Sequence, residues 1–322
     1  MAFFDLSPEE LERYAPDLPE PADLDQFWSE TISAAREAAK PPTMRSYDSG
    51  LALIDVWDVT FAGFGGDPVD GWLMVPRGAD EPLPMVVEFL GYGGGRGLPH
   101  EHLAWPAAGY AHFVMDTRGQ GSGWGTGGST GDPHGSGPAT PGFMTKGIAS
   151  PSTYYYRRVY TDAVRAIDTA RSIEVVDSKR IIVTGVSQGG GISLAAAGLV
   201  PDVAAALPDV PFLCHIRRGV AISDDDPYRE VSRYLSVHDE LEEQTFRTLS
   251  YFDAAIIGRR GKAPALFSTA LWDTTCPPST VYAARNTYGG AADIDRYTFN
   301  GHDGGRARQW ARQRQWLIGQ GL

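Results

Sequence analysis

The stretch Arg180-Ile-Ile-Val-Thr-Gly-Val-Ser-Gln-Gly-Gly-Gly-Ile-Ser-Leu-Ala-Ala-Ala-Gly198 places the pattern Gly185-x-Ser187-x-Gly189 between two different kinds of segment. Before it, Ile181-Ile182-Val183-Thr184 is apolar without alternation and reads as a strand buried on both faces; after it, the Ala-rich run from Gly189 to Leu199 reads as a helix. Strand, turn and helix are the context that Gly-x-Ser-x-Gly requires. Ser187 is then expected on a sharp turn with strained backbone angles, where a side chain at Gly185 or Gly189 would collide with the neighbouring strand or helix. Such a turn exposes one hydroxyl at the carboxyl edge of a sheet, and the helix behind it aims its first amides at the same point. The bare pattern also arises by chance in Gly-rich chains, so the flanking elements carry the assignment of Ser187 as candidate nucleophile. Ser193, inside the helical run, reads as structural.

Outward from this segment, Met85 to Leu90 and Ala111 to Met115 are further continuous apolar runs. Helical patterns separate the runs at Tyr160 to Ile173, Pro277 to Tyr288 and Gly304 to Leu317. Alternation of this kind predicts an α/β fold with a mostly parallel central sheet and helices on both faces. Two period-two segments precede it, Leu53-Asp55-Trp57-Val59-Phe61 and Val69-Gly71-Leu73-Val75, and are expected as antiparallel strands opening the sheet. The chain is expected to be one domain over 1–322, with an N-terminal helical extension at about 1–40 and, at about 201–261, a strand combined with a cap or interface insertion. In the extension, Ser7 and Asp23 are the expected helix caps. No repeat of 20 to 50 residues is evident.

A serine hydroxyl is a poor nucleophile at neutral pH, so a histidine must take its proton and an acid must orient that histidine. On a strand–turn–helix nucleophile the chain order is Ser, then Asp or Glu, then His. Three histidines follow Ser187: His215 lies in an apolar run and reads as packed, His238 lies in a polar helical stretch, and His302 lies in Asn300-Gly-His-Asp-Gly-Gly305 after a strand-like segment. His302 is the expected base. Asp273 closes the apolar run Ala263 to Trp272 and is the expected acid; Asp303 is a sequence neighbour of the histidine, and Asp295 begins its strand at the wrong end.

The tetrahedral intermediate of such chemistry needs two backbone donors. Gln188, the residue after the nucleophile, supplies one, and Tyr92, in Gly91-Tyr92-Gly-Gly-Gly-Arg-Gly97, is the choice for the other. No Gly-Lys-Ser/Thr follows these glycines and their spacing does not fit Gly-x-Gly-x-x-Gly, which argues against a phosphate loop. Arg118, in Arg118-Gly119-Gln120, is expected to brace the site loops. His100 with His102, and Asp132 with His134, have ligand-like spacing, but no convergent set is identifiable, so they read as solvated or supporting groups and no metal is expected.

Composition narrows the function classes. The 38 Gly and 23 Pro make about 19% of 322 residues, above the roughly 12% of average usage, yet 17 of the glycines fall between Gly91 and Gly147, so the remainder is ordinary globular sequence. Net charge is −12 and no Lys/Arg cluster exceeds a pair, which argues against nucleic acid as partner. The start, MAFFDLSPEELERY, has neither a basic region nor an apolar core, and no apolar run reaches membrane length; the expectation is a soluble cytoplasmic protein without membrane contact. Cys214 and Cys276 allow at most one disulfide.

Tyr92 with its glycines, Arg118-Gly119-Gln120, Gly185-Val-Ser-Gln-Gly189, Asp273 with Cys276-Pro-Pro-Ser-Thr280, and Gly301-His302 together resemble the acetyl xylan esterase/cephalosporin C deacetylase family, carbohydrate esterase family 7. The resemblance extends to Phe4-Asp5-Leu6, Phe27-Trp28 and the block from Pro141 to Val159, so it takes in nearly the whole chain. It implies an α/β-hydrolase fold and a serine esterase that removes acetyl groups from small acetylated sugars, xylo-oligosaccharides and cephalosporin C, with no cofactor. It also implies a homo-oligomer, since family members form hexamers whose sites face an internal cavity. The family's usual His-Gly-Tyr is here Leu90-Gly91-Tyr92, and Asp303 stands where a Glu follows the histidine. The first change removes a polar group beside the oxyanion loop. Rival readings are a broader short-chain carboxylesterase, a peptidase or long-chain lipase, an acyltransferase or perhydrolase, and a non-catalytic binding protein on the same fold.

Overall fold

The computed structural model describes residues 4–135 and 137–322; residues 1–3 of the expected extension and residue 136 of the Gly-rich stretch lie outside them. The strands are β1 (Thr43–Tyr47), β2 (Ile54–Ala62), β3 (Pro68–Pro76), β4 (Leu83–Phe89), β5 (Ala111–Met115), β6 (Val176–Val186), β7 (Ala205–Asp209), β8 (Ala265–Ala270) and β9 (Ala292–Tyr297). The α-helices are α1 (Pro8–Leu11), α2 (Leu24–Glu37), α3 (Ala104–Ala107), α4 (Tyr155–Arg171), α5 (Gln188–Leu199), α6 (Ile216–Ile222), α7 (Tyr228–Leu235), α8 (Glu242–Ser250), α9 (Ala254–Ile257), α10 (Pro278–Thr287) and α11 (Ala307–Gly319).

All nine strands join one sheet in the order β1-β2-β3-β5-β4-β6-β7-β8-β9. The first three pairings are antiparallel and the rest are parallel. The pleat explains why the central strands are apolar throughout: Met85, Val87 and Phe89 of β4, Ile181 and Val183 of β6, and Phe267 of β8 join one core, whereas Val86, Ile182 and Leu266 join the core on the other face. The first core holds α4, α5 and α9, and the second packs Trp105 of α3 and Leu317 of α11. This is the α/β-hydrolase layout implied by the resemblance.

Three local details differ from the sequence expectations. Asp23 makes no side-chain cap on α2; its carboxylate accepts the Tyr251 hydroxyl at 2.5 Å, a distant partner that local pattern does not reveal. Helix α4 begins five residues before the predicted Tyr160, because Tyr155, Tyr156 and Val159 are drawn fully into the core. Strand β1 was not expected: four of its five residues are exposed, so it carries no burial signature and forms by pairing with β2. Ser7 does cap α1, accepting the Glu10 N–H while Glu10 accepts the Ser7 N–H. The stretch 201–261 opens with β7, part of the main sheet, and continues into α6 to α9, of which α9 packs against α5 in the first core. No helix among the described residues is long and apolar enough to cross a membrane.

Candidate active site

The carboxyl ends of β4, β6, β7 and β8 and the loop after β9 meet on one edge of the sheet. At the end of β6 the chain turns into α5 through Ser187, whose φ of 58° and ψ of −117° are outside the regions that L residues favour. A Cβ on Gly185 would overlap the Gly189 backbone, and one on Gly189 would overlap the Phe89 carbonyl, so the turn can be this tight only with glycine at both positions. The Ser187 N–H donates to the Asp209 carbonyl at 2.9 Å and its own carbonyl accepts from Phe212 N–H at 2.9 Å, which clamps the turn. Gln188 opens α5, so its N–H has no intrahelical acceptor.

His302 reaches this turn from the loop between β9 and α11. Its Nε2 is 3.0 Å from Ser187 Oγ, and its Nδ1 is 3.0 and 3.1 Å from the two carboxylate oxygens of Asp273. Asp273, fully buried beyond β8, also accepts the N–H groups of Thr275 and Cys276 at 3.0 and 2.8 Å, which fixes its orientation. The His302 imidazole has its pKa above the ordinary histidine value: burial pulls it down, but the hydrogen bond and charge of Asp273, joined by the charges of Asp209 and Asp225, outweigh that. Asp303 is tied to Asn300, Gly301 and Arg306, and Asp295 pairs with Arg312. His215 precedes α6 and stacks on Tyr14, with its pKa pushed down to about 4 by burial and by Arg218. His238 packs against Tyr234. Ser193 is buried in α5 and donates to the Gly190 carbonyl.

Tyr92 lies in the turn after β4. Its hydroxyl donates to Glu230 Oε1 at 2.6 Å and accepts from the Phe143 N–H at 2.5 Å, so the loop is held from α7 and from the Gly-rich stretch together. Gln120 connects the same loop to the elbow: its Oε1 accepts the Gly93 N–H at 2.7 Å and its Nε2 donates to Gln188 Oε1 at 2.9 Å. Arg118 is fully buried and does not line the cavity over Ser187 and His302. It grips both carboxylate oxygens of Asp162 at 2.5 and 2.8 Å and reaches Asp67 at 3.0 Å. The Tyr155 hydroxyl donates to its carbonyl.

A cavity of about 620 Å³ opens over these groups, lined among others by Leu90, Tyr92, Trp124, Ser187, Pro227 and His302. Leu90 itself is buried, so no polar group occupies that part of the wall. Glu230 and Asp209 were not singled out from sequence. Glu230 sits in a helical run of mixed polarity and Asp209 ends a strand like many others; only the fold reveals that both are buried beside the site. Burial pushes the Asp209 carboxyl up to about 6, although the Ser268 hydroxyl and His302 both favour its charged form.

Among the described residues, Asp273, Cys276 and His302 are the one group of three whose ligand atoms lie within 4.8 Å of one another. Burial holds the Cys276 thiol in its protonated form, whereas a metal takes the thiolate. His100, His102 and His134 go to separate partners, the carbonyls of Ser49 and Arg96 and the carboxylate of Asp67. Asp132 binds Arg158 and Lys146.

Residues 1–320 match the family described as Acetyl xylan esterase (AXE1). Acetyl esterase Axe7A of Xylanibacter ruminicola is 32% identical over 145 residues, a match covering 45% of this chain and only 32% of that protein's length. An acetyl xylan esterase from Paenibacillus sp. R4 is 40% identical, with 97% of this chain and 99% of that chain superposed at a TM-score of 0.91. Acetyl xylan esterase 1 from Thermoanaerobacterium sp. JW/SL YS485 is 28% identical, with coverage of 98% and 99% and a TM-score of 0.88.

Proposed function

The chain belongs to the acetyl xylan esterase family, and on that premise we propose that it is a serine esterase that removes acetyl groups from small acetylated carbohydrates. The observation that carries this reading is the unbroken relay from Asp273 through His302 to Ser187, each step about 3 Å long. Ser187 is the nucleophile, His302 the general base and Asp273 the acid that orients the imidazole and stabilises its cation.

In the first half-reaction His302 Nε2 takes the Ser187 proton as Oγ attacks the acetyl carbonyl. The negative oxygen is held by the N–H groups of Tyr92 and Gln188, and removal of one such donor typically costs about 3 kcal/mol of transition-state stabilisation. His302 then returns the proton to the departing sugar hydroxyl, leaving acetyl on Ser187. Water, deprotonated by the same imidazole, releases acetate and restores the serine. Gly185 and Gly189 make the elbow possible, and Gln120 and Arg118 support the loops around it.

The substrates fitting this reading are acetylated xylo-oligosaccharides and sugar acetates, with the acetoxymethyl ester of cephalosporin C as a further candidate. Among the described residues the cavity wall carries Glu88, Glu101 and Asp226 and neither Lys nor Arg, which favours the neutral sugar acetates over the carboxylate-bearing cephalosporin C. The family resemblance further supports a homo-oligomer, a hexamer by that analogy. Ser187→Ala is expected to abolish acetate release from acetylated xylobiose while the far-ultraviolet circular dichroism stays that of the parent; full activity in that variant would sink the assignment.

A further inference from the structure

Trp124, in the Gly-rich segment, is a large side chain in the cavity wall that the acetyl-transfer chemistry does not use. Trp124 lines the cavity beside Ser187 and His302, yet 55% of its surface is exposed, whereas Trp28, Trp72 and Trp105 are buried. Exposure alone is ordinary for a surface side chain; what marks this ring is that it stands open in the wall of the cavity that holds Ser187 and His302.

The ring is not loose. Its Nε1–H donates to the Tyr92 carbonyl at 2.7 Å, and Trp124 forms an isolated parallel bridge with Gly94. A Cβ built on Gly94 would lie 2.7 and 2.8 Å from Cη2 and Cε2 and closer still to Cζ2 between them. Only a point above the ring plane meets three adjacent atoms in that way, so one indole face rests on the Gly94 backbone and the opposite face is the free one. A ring held by a hydrogen bond and a glycine bed is preorganised and loses little freedom when a ligand covers it.

We propose that the free face of Trp124 is a stacking platform for the pyranose ring of an acetylated sugar, seating the ester over Ser187. A pyranose presents a face of C–H bonds, weakly positive, to the negative face of an indole. Its hydroxyl edge needs hydrogen-bond partners, and Glu88, Glu101 and His102 line the same cavity. An acyclic alkyl ester offers neither face nor edge. This inference rests on the esterase reading and names the group that selects the alcohol side of its substrate.

The test compares kcat/KM for acetylated xylobiose and for ethyl acetate in the parent, Trp124→Phe and Trp124→Leu. Aromatic contacts of this kind predict that the sugar-to-ethyl ratio falls about ten-fold in Trp124→Leu and by less than about three-fold in Trp124→Phe, which keeps a ring but loses the bond to Tyr92. Because both rates come from one sample, a partly unfolded variant lowers both and leaves the ratio unmoved. An unchanged ratio in Trp124→Leu, with or without equal losses on both esters, would reduce Trp124 to a support of the Tyr92 loop and overturn the platform. Failure of the esterase reading itself is read separately, as turnover of both esters by Ser187→Ala.

Discussion

The Tyr92 hydroxyl and the Glu230 carboxylate lie 2.6 Å apart, joining a loop after β4 to a helix 138 residues later in the chain. Glu230 is only 3% exposed and its other oxygen accepts the Met144 N–H at 3.0 Å. Burial raises its pKa and raises that of Tyr92 as well, so the phenol keeps its proton and acts as the donor. The consequence for catalysis runs through the backbone: the proposed oxyanion donor is the Tyr92 N–H, and the side chain on the same residue anchors the loop that aims it.

Tyr92→Phe therefore keeps the amide and removes its anchor. The expected loss in kcat is about ten-fold, short of the 10²–10³ that follows outright removal of an oxyanion donor, with KM for acetylated xylobiose changed little. The variant also leaves Glu230 with one partner fewer, so stability is expected to fall by about 1–3 kcal/mol in urea unfolding. Glu230→Gln, which still offers the phenol a hydrogen-bond partner, is expected to lose less in both measurements. An undiminished kcat in Tyr92→Phe would show that the loop keeps its aim without the side chain.

The parts of this site that were legible in the sequence share one property: each follows directly on a local pattern. Ser187 ends an apolar run and starts an Ala-rich one, Asp273 ends another such run, and His302 sits in a Gly-flanked loop after a third strand pattern. The parallel core was legible for the same reason, since strands covered on both faces must be apolar along their length. What was not legible depends on partners far away in the chain. Glu230 meets Tyr92, Asp23 meets Tyr251 and Arg118 meets Asp162 across 138, 228 and 44 residues, and a charged residue of this sort reads locally as surface. Strand β1 was hidden because pairing with β2, and not burial, makes it a strand.

Arg118 leads to a stability prediction. Its guanidinium is fully buried, and the Asp162 and Asp132 side chains beside it are each 1% exposed. Burial disfavours the Arg118 cation, but Asp162, Asp67 and Asp132 together hold its pKa above the ordinary value. A buried pair of this kind adds little over an apolar replacement of both partners, whereas removing one partner strands the other charge at a cost of about 3–5 kcal/mol. Arg118→Gln is expected to lose that much in urea unfolding near neutral pH. Asp162 takes up a proton more readily than an ordinary aspartate because it is buried, so the deficit should shrink as the pH falls into the carboxylate range. A deficit that is the same at all pH values would mean that no stranded carboxylate causes it.

The last prediction concerns Asp209, which no step of the proposed reaction uses. Its charge raises the His302 pKa, and His302 must be neutral to accept the Ser187 proton. The rising limb of kcat/KM is therefore expected above the ordinary histidine value of about 6.5. Asp209→Asn removes one of the charges favouring the imidazolium while the amide oxygen can still accept the Ser268 hydroxyl, so the limb should move to lower pH with the plateau largely kept. Stability supplies an independent sign. Burial lifts the Asp209 pKa to about 6, so its contribution is fully present below the unfolded aspartate value of about 3.9 and is lost as the pH rises through about 6. Asparagine does not titrate, so the Tm difference, variant minus parent, should move in favour of the variant as the pH rises from about 4 to about 8. A limb displaced upward would mean that the Asp209 charge does not act on His302, and a Tm difference moving the opposite way would mean that Asp209 is held as a stabilised anion and not as a carboxyl that burial keeps partly protonated.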